Sequence, residues 1–292
     1  MSDITVINDS EQSSLVTNGL AKNGELYLKA AGSTDAGAIV VYDSGSWRTF
    51  ANEASAGFAN TYSVDFDGTN DYVEIPTASE LSFTDGSGND SAFSISAWVY
   101  IDSLSNFTLL TKGVYNSTGE YHVRMTAAQK MQLVLYMGTN PAYEACFIDQ
   151  SLSTGQWYHF AFTYDGRGGT SANAGILGYL NGSLSAVSRA GGGSYSGMIS
   201  SSAPVYIGRN GSNYSNGKID EVALFNSALS ASDVTAIYNS GVPADLTSYS
   251  PVGWWRMGDD DSGTGTTITD QGSGGNDGTL TNGPTFSTDV PS

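Results

Sequence analysis

Apolar and polar side chains alternate in short runs along most of the chain, which is the pattern of half-buried β-strands. In the run 93–101 the alternation places five apolar side chains on one face: Phe93, Ile95, Ala97, Val99 and Ile101. Further runs of this kind lie at 62–66, 71–76, 121–125, 132–136, 157–164, 178–180 and 205–208, separated by Gly, Asn and Asp turns. This spacing predicts an antiparallel sandwich rather than βαβ units.

One segment near residue 235 has a helical period instead. Ser230 can cap a helix, and Asp233 stands three residues later as its partner in a capping box. Val234, Ile237 and Tyr238 then share one face. The sequence therefore predicts one short helix that follows the strands.

Changes in composition and in the density of strand-like runs divide the chain into three parts. Residues 1–57 contain strand-like runs at 24–29 and 37–42 but few large apolar side chains, and so short a segment makes a weak independent core. We predict a small β-rich anchoring module there. Residues 58–244 have the dense strand pattern of one sandwich. Residues 245–292 are too short to fold alone, and we predict that this C-terminal extension packs on the sandwich or on a neighbour.

Five motifs of the middle part occur in the order that one known family shows. They are SVDFDGTNDYVEI at 63–75, FSISAWV at 93–99, QWYHFAFTYDG at 156–166, YLNG at 179–182 and GKIDEVALFNSALS at 217–230. Together they resemble the laminin-G-like domains of the concanavalin superfamily over roughly residues 58–240. The resemblance implies an all-β, antiparallel jelly-roll β-sandwich. It implies little about the ligand, because this fold hosts unrelated functions.

The extension resembles a segment that precedes the first of these motifs in the family. Trp254, Trp255 and Arg256 begin it, and residues 265–270 and 276–280 continue it. Here the segment follows the domain. It either fills the equivalent position by a permuted route or begins a second copy that stops early. A permuted strand would leave no bare sheet edge, so we favour it.

The order of a short first module, a laminin-G-like domain and this tail also resembles structural proteins of tailed phages, notably marine ones. That resemblance implies display on a virion, as capsid decoration or as part of a fibre. It also implies partners among other virion proteins, reached through the first module and the extension, and a homo-oligomer on the particle.

Composition and charge exclude several partners. The 292 residues include 29 acidic and 11 basic side chains, giving a formal net charge of -18. Such a surface repels phosphate backbones and anionic head groups, so we expect neither nucleic acid nor membrane as a partner.

The chain start lacks the basic and apolar regions of a signal peptide, and we expect synthesis in a host cytoplasm. The single cysteine, Cys146, allows no internal disulfide and is expected to pack in a strand.

The motifs of catalysis are lacking, and we predict that the protein is not an enzyme. Glycosidases of this fold have a Glu-x-Asp-x-x-Glu strand, and the sequence contains no such run. A retaining glycosidase needs two carboxyl groups about 5–5.5 Å apart. Asp220 and Glu221 are adjacent and would face opposite sides of a strand. Of the two histidines, His122 and His159, the second lies inside an aromatic strand, where the family resemblance implies a structural role.

Calcium is the one cofactor that we predict, as a structural ion. Asp67, Asn70 and Asp71 cluster in one turn, and hard cations prefer oxygen ligands. The family resemblance implies that Asp220 of the closing strand lies beside this turn. The alternative is that these side chains hydrogen-bond turn amides.

Exposed aromatic and amide side chains are the usual means of binding sugars, and several lie in Gly-, Ser- and Asn-rich segments. The candidates for a glycan site are Tyr115, Asn116, Tyr143, Tyr195, Asn213 and Tyr214. The alternative is that they pack between subunits. Two functions therefore stay open. The first is a virion structural protein that displays the sandwich, whether or not the sandwich also binds glycans. The second is a stand-alone carbohydrate-binding lectin module.

Overall fold

The structure is a computed structural model that describes residues 58–85, 87–105, 107–114, 117–138 and 142–292, and before them the backbone of four strands. The chain divides into two compact units, Met1–Ala59 and Asn60–Ser292. The second unit therefore includes the C-terminal extension together with the sandwich. Among the residues that the structure describes, no helix has the length and apolarity needed to cross a bilayer.

The four strands of the first unit form one sheet. They are β1 (Thr5–Ile7), β2 (Leu26–Lys29), β3 (Ile39–Asp43) and β4 (Ser46–Thr49). Strand β1 runs parallel to β2, and the other neighbours are antiparallel. Strand β2 lies within the predicted strand-like run at 24–29, and β3 overlaps the predicted run at 37–42 and extends one residue beyond it. The anchoring role of this module stays a prediction.

The regular secondary structure of the second unit consists mainly of strands. In chain order these are β5 (Ser63–Asp67), β6 (Tyr72–Ile75), β7 (Phe93–Ile101), β8 (Thr108–Lys112), β9 (Tyr121–Met125), β10 (Met131–Tyr136), β11 (Tyr143–Ile148), β12 (Trp157–Tyr164), β13 (Ile176–Leu180), β14 (Ser183–Leu184), β15 (Val187–Gly192), β16 (Val205–Ile207), β17 (Arg209–Asn210), β18 (Asn213–Tyr214), β19 (Asn216–Phe225), β20 (Gly253–Trp255), β21 (Thr267–Ile268), β22 (Gly278–Thr281) and β23 (Thr285–Ser287). The helix α1 spans Ala231–Tyr238, and short 3-10 turns lie at Ser79–Leu81, Gly169–Gly175, Asn239–Gly241 and Thr247–Tyr249.

These strands form two large antiparallel sheets. The nine-stranded sheet has the order β15-β11-β10-β9-β8-β16-β6-β22-β21. The eight-stranded sheet has the order β14-β13-β12-β7-β19-β5-β23, with β20 paired to β19. Strands β17 and β18 form a separate hairpin. The predicted all-β, jelly-roll-like sandwich is confirmed.

The hydrophobic core lies between the two sheets and follows the alternation in the sequence. The inward face of β7 is buried as predicted, together with apolar residues from both sheets, among them Phe66, Val123, Leu133, Cys146 and Phe160. Because Cys146 is buried, the pKa of its thiol is raised to about 11, and the thiol is protonated and inert at neutral pH.

The second face of β7 is covered as well, which alternation alone does not predict. Ser94 accepts a hydrogen bond from the Leu229 amide at 2.9 Å, and the Trp98 ring stacks on Tyr238 of α1 with 5.5 Å between centroids. The predicted capping box starts α1, since Ser230 Oγ accepts from the Asp233 amide and the Asp233 carboxylate accepts from the Ser230 amide. The helix therefore covers the outer side of the eight-stranded sheet.

The C-terminal extension adds strands to both sheets. Strand β20 pairs with β19, β22 pairs with β6, and β23 pairs with β5. Trp255 is fully buried in the shared core, and its Nε1 donates to the Asn276 carbonyl at 2.9 Å. The extension thus packs on the sandwich of its own chain.

Candidate functional site

A groove of about 670 Å³ lies on the outer face of the nine-stranded sheet. Three neighbouring strands, β9, β10 and β11, form its floor, and the β17–β18 hairpin forms one side. Its lining consists of Val114, His122, Arg124, Thr126, Gln132, Val134, Tyr136, Tyr143, Phe147, Asn210, Gly211, Ser212 and Asn213. A groove of this size suits a small ligand.

The two-residue period of the strands places these side chains in the groove. Val123 and Leu133 point into the core, so their neighbours in the chain point outward. The strand register then aligns the outward residues in rows across the sheet. One row is His122–Val134–Ala145, and a second is Arg124–Gln132–Phe147. Opposed side chains in such rows are about 4.5–5.5 Å apart at Cβ, close enough to act on one ligand.

Aromatic rings form the apolar wall of the groove. Tyr143 and Phe147, both half-buried, pack against a small buried cluster of Val134, Tyr136 and Ala145. Gly192 lies opposite Tyr143 in the strand register, and a Cβ at this position would come within 2.8 Å of the Tyr143 ring. The glycine therefore leaves the space in which the ring lies.

A hydrogen-bonded polar group occupies the floor beside this wall. The Nε of Arg124 donates to Nε2 of His122 at 3.3 Å, and the Tyr136 hydroxyl lies 3.2 Å from the same Nε2. The Nδ1 of His122 lies 3.4 Å from the side-chain amide nitrogen of Asn210. Burial, reinforced by the charge of Arg124, holds the pKa of His122 well below its usual range. The ring is therefore neutral at physiological pH, and the positive charge of the groove belongs to Arg124.

The β17–β18 hairpin connects the groove with a second cluster. Ser212 and Asn213 are exposed at its tip. The Arg209 guanidinium lies over two tyrosine rings, 4.6 Å from the centroid of Tyr72 and 4.8 Å from that of Tyr206, and it also contacts Tyr214 at 5.8 Å. These cation–π contacts hold the base of the hairpin against the outer face of the sheet.

The structure brings together only part of the glycan site that the sequence suggests. Tyr143 and Asn213 line the groove, and Tyr214 lies beside it in the Arg209 cluster. Tyr195, which we expected as an exposed loop ring, is only 2% exposed, and its hydroxyl donates to Asp90 at 2.8 Å. It is therefore not available for stacking. Tyr115 and Asn116 lie outside the described residues.

Sequence reasoning missed several residues of the groove. His122, Arg124, Gln132 and Phe147 lie within strands, whereas the glycan-site candidates predicted from the sequence come from segments expected to be loops. The available signal was the alternation itself, since it places polar and aromatic side chains on the outward faces of β9 to β11.

The predicted calcium ligands are not all together. Asp67, Asn70 and Asp71 share the turn between β5 and β6, where the Asp71 carboxylate accepts from the Asp67 amide at 3.2 Å. The expectation that Asp220 lies beside this turn is wrong, because the register pairs Asn216 with Asp67 and places Asp220 four residues further along β19. In the described part of the chain no three or more His, Cys, Asp or Glu side chains are arranged to hold a metal. Calcium at the turn stays a prediction.

Asp220 belongs instead to a buried acidic cluster. Its carboxylate accepts from Asn60 Nδ2 and from the Glu221 amide, at 2.9 and 2.8 Å. Glu221 has a φ of 48°, at a bulge in β19, and its carboxylate accepts from Trp254 and Arg256 at 2.6 and 3.0 Å. Burial raises the pKa of Glu221 to about 7 and, with the neighbouring Glu221 charge, raises the pKa of Asp220 well above its usual value.

The second histidine is structural, as the motif implies. His159 is fully buried between Trp98 and Tyr238, and its Nε2 lies 2.9 Å from the Ser96 hydroxyl. Burial lowers the pKa of His159 to about 3. The ring is therefore neutral throughout the physiological range and is not accessible from the surface.

Comparison with known families gives one match. The family model Laminin_G_3, described as Concanavalin A-like lectin/glucanases superfamily, matches residues 67–235, which is more than half of the chain. A comparison with curated proteins gives no match.

Solved structures share the fold at low sequence identity. A protein from Bacteroides ovatus, described as a candidate carbohydrate-binding protein, is 20% identical with a TM-score of 0.55 and covers 92% of this chain and 71% of its own. Domain 4 of a GH43 extracellular arabinanase from Geobacillus stearothermophilus, in complex with arabinotriose, is 17% identical with a TM-score of 0.43 over 77% of this chain and 95% of its own. The CBM40 of a Ruminococcus gnavus sialidase, bound to α2,3-sialyllactose, is 15% identical with a TM-score of 0.44, and the match covers 60% of this chain and 96% of the CBM40. The likeness to the Bacteroides ovatus protein shows the fold.

Proposed function

This chain belongs to the concanavalin A-like lectin/glucanases superfamily, and from that membership we propose that it is a non-enzymatic carbohydrate-binding protein whose glycan lies in the groove on the outer face of the nine-stranded sheet. The observation on which the proposal depends is the meeting of an aromatic wall and a polar floor in this groove. Tyr143 and Phe147 form the wall, and His122, Arg124 and Gln132 form the floor.

Each side of the groove matches one property of a sugar. The axial C–H groups of a pyranose ring form an apolar patch that packs on an aromatic face, and its hydroxyls need donors and acceptors. Gln132 offers both kinds of group, and Asn213 at the hairpin tip offers both from the other side. Placed polar groups beside an apolar wall are the usual means by which a small-molecule site fixes the orientation of its ligand.

The groove is held in shape before any ligand arrives. His122 is fixed by contacts to Arg124, Tyr136 and Asn210, which come from three different elements. The space at Gly192 fixes the place of the Tyr143 ring. A site with such fixed side chains loses less conformational entropy on binding.

A role on a virion is the second part of the proposal. It is supported by the sequence resemblance to structural proteins of tailed phages and by the strongly acidic composition, which suits a soluble, displayed surface. A glycan-binding sandwich presented on a particle would serve adhesion to a host or to environmental glycans. Electron microscopy of native particles labelled with an antibody against this chain tests that role. Absence of antibody density on both capsid and tail would contradict it.

Glycan binding itself is tested on an array, followed by calorimetry on the glycans that bind. We expect Tyr143→Ala and Phe147→Ala each to weaken binding about fivefold or more, because loss of a stacked ring costs roughly 1 kcal/mol or more. The control is Leu184→Ala, which removes a 59% exposed apolar side chain from the other sheet. Repeating the array with EDTA tests whether calcium takes part. The proposal fails if no glycan binds, or if the control loses affinity as much as the groove variants do.

A further inference from the structure

We propose that the groove selects acidic glycans, and that the Arg124 guanidinium binds the carboxylate of a uronic or sialic acid residue. This inference rests on the proposed function and names the substrate class of the same groove. Its starting observation is a positively charged side chain in a lining that contains no acidic residue among the described ones.

Arg124 differs from most basic side chains that the structure describes. Lys112, Lys130, Arg167, Lys218 and Arg256 each form an ion pair with a carboxylate of the protein. Among the described residues, Arg124 has no carboxylate within ion-pairing distance. Its flanking residues in the strand register are Thr108 and Gln132, which are both uncharged.

The hydrogen bond to His122 leaves the useful edge of the guanidinium available. Among the described residues, only the Nε of Arg124 takes part in a hydrogen bond, donating to Nε2 of the imidazole. The two terminal amino groups form the end-on edge of the guanidinium, and this edge matches the two oxygens of a carboxylate. His122 therefore acts as a positioning residue that fixes the plane of the guanidinium in the groove.

The surrounding charge favours this assignment. The chain has 29 acidic residues against 11 basic ones, yet the described lining of the groove contains no Asp or Glu. Glu144, which follows Tyr143 in β11, points to the opposite face of the sheet, as Cys146 does. The groove is thus a locally positive, half-buried place on an acidic protein. There a charge-assisted contact is stronger than on an open surface.

A neutral sugar would leave the guanidinium without a charged partner. An acidic sugar places its carboxylate at Arg124 and its ring on Tyr143 or Phe147, so both sides of the groove are used. Removing the ligand's charge should therefore weaken binding by about tenfold or more, the effect expected for a charge-assisted bidentate contact.

The test uses pairs of glycans that differ only in charge. Binding of the full chain is measured for oligogalacturonate, glucuronate-bearing xylan oligomers and sialyllactose, each beside its carboxyl-reduced form, with sulfated and unsulfated galactan added. The variant is Arg124→Gln. The control is Arg167→Gln, which removes an equal charge from a side chain that is 46% exposed and paired with Asp165 outside the groove.

The expected result is that at least one carboxylated glycan binds, that carboxyl reduction weakens it at least tenfold, and that Arg124→Gln weakens the acidic form to the same level as the reduced form. Arg167→Gln should bind as the natural chain does. Equal binding of acidic and reduced forms would overturn this inference and leave the proposed function standing. Binding restricted to sulfated galactan would overturn the carboxylate assignment, and binding of no glycan at all would overturn both.

Discussion

Arg124 and His122 share one hydrogen bond in the groove, from the guanidinium Nε to the imidazole Nε2, over 3.3 Å. The bond requires that Nε2 is unprotonated, because a protonated nitrogen cannot accept. Burial and the charge of Arg124 both lower the pKa of His122, so the ring stays neutral and can accept. The charge of the groove is thereby fixed over a wide range of pH.

The first prediction follows from that neutral ring. We expect the affinity for a carboxylated glycan to be constant between about pH 5.5 and 8, because neither His122 nor the ligand carboxylate titrates there. Calorimetry at several pH values in that range measures it. An affinity that rises on acidification with a midpoint near 6.5 would show that His122 becomes charged in the groove, contrary to this account.

The second prediction concerns Gly192 and Tyr143. We expect Gly192→Ala to displace the Tyr143 ring, since the added Cβ would lie within 2.8 Å of it, and to weaken glycan binding severalfold. A double-mutant cycle identifies the cause. In the background of Tyr143→Ala, the substitution at Gly192 should have no further effect on affinity, and an additive loss would show that it acts elsewhere.

The third prediction concerns the buried acidic cluster and stability. The folded-state pKa of Glu221 is raised to about 7 from an ordinary value of 4.5, so between these values the Glu221 carboxyl is more protonated in the folded chain than in the unfolded chain. The contribution of Glu221 to the free energy of unfolding therefore falls as pH rises through this window, by on the order of 1–3 kcal/mol, whereas the lowered pKa values of the buried His122 and His159 act in the opposite direction. Urea unfolding at pH 5 and at pH 8 measures the free energy of unfolding at the two pH values.

Asp220→Asn tests which groups cause that fall. The asparagine can still accept from the Glu221 amide, and its amide can donate to the Asn60 oxygen, which accepts no hydrogen bond in the described residues. We expect the variant to be more stable than the natural chain at pH 8, and this gain in the free energy of unfolding to be smaller at pH 5, because the raised pKa of Asp220 makes its burial costlier as pH rises. The exposed Asp102→Asn is the control. An unchanged slope in Asp220→Asn would remove the cluster as its cause.

The fourth prediction concerns the C-terminal extension. Trp255 is fully buried in the core that both sheets share, so Trp255→Ala should lower the free energy of unfolding by about 3–5 kcal/mol. Trp157→Ala, at a half-buried ring on β12, should cost clearly less. Denaturant unfolding of both variants measures this. Equal costs would show that the extension contributes little to the core.

The fold was predictable because its signals are local. The two-residue period of 93–101 identifies the buried face of β7, and Ser230 with Asp233 identifies the start of α1. Each signal depends on neighbours in the chain, and backbone geometry converts it directly into structure.

The site was less predictable because it is assembled over long separations. Tyr195 is buried because its hydroxyl meets Asp90, a residue 105 positions away. Asp220 is separated from Asp67 by the register of β19 against β5, and a pattern within one strand does not fix that register. His122 and Asn210 meet only because the hairpin folds over β9. Of the described glycan candidates, Tyr143 and Asn213 line the groove through such pairings.

The most direct test of the central claim is to locate a bound glycan on the sandwich. Hydrogen–deuterium exchange of the full chain, with and without the tightest glycan from the array, measures which strands become protected. The account predicts protection restricted to 121–136, 143–148 and 209–214, the segments that form the groove. Protection of the eight-stranded sheet or of the 67–71 turn, with these segments unchanged, would contradict it.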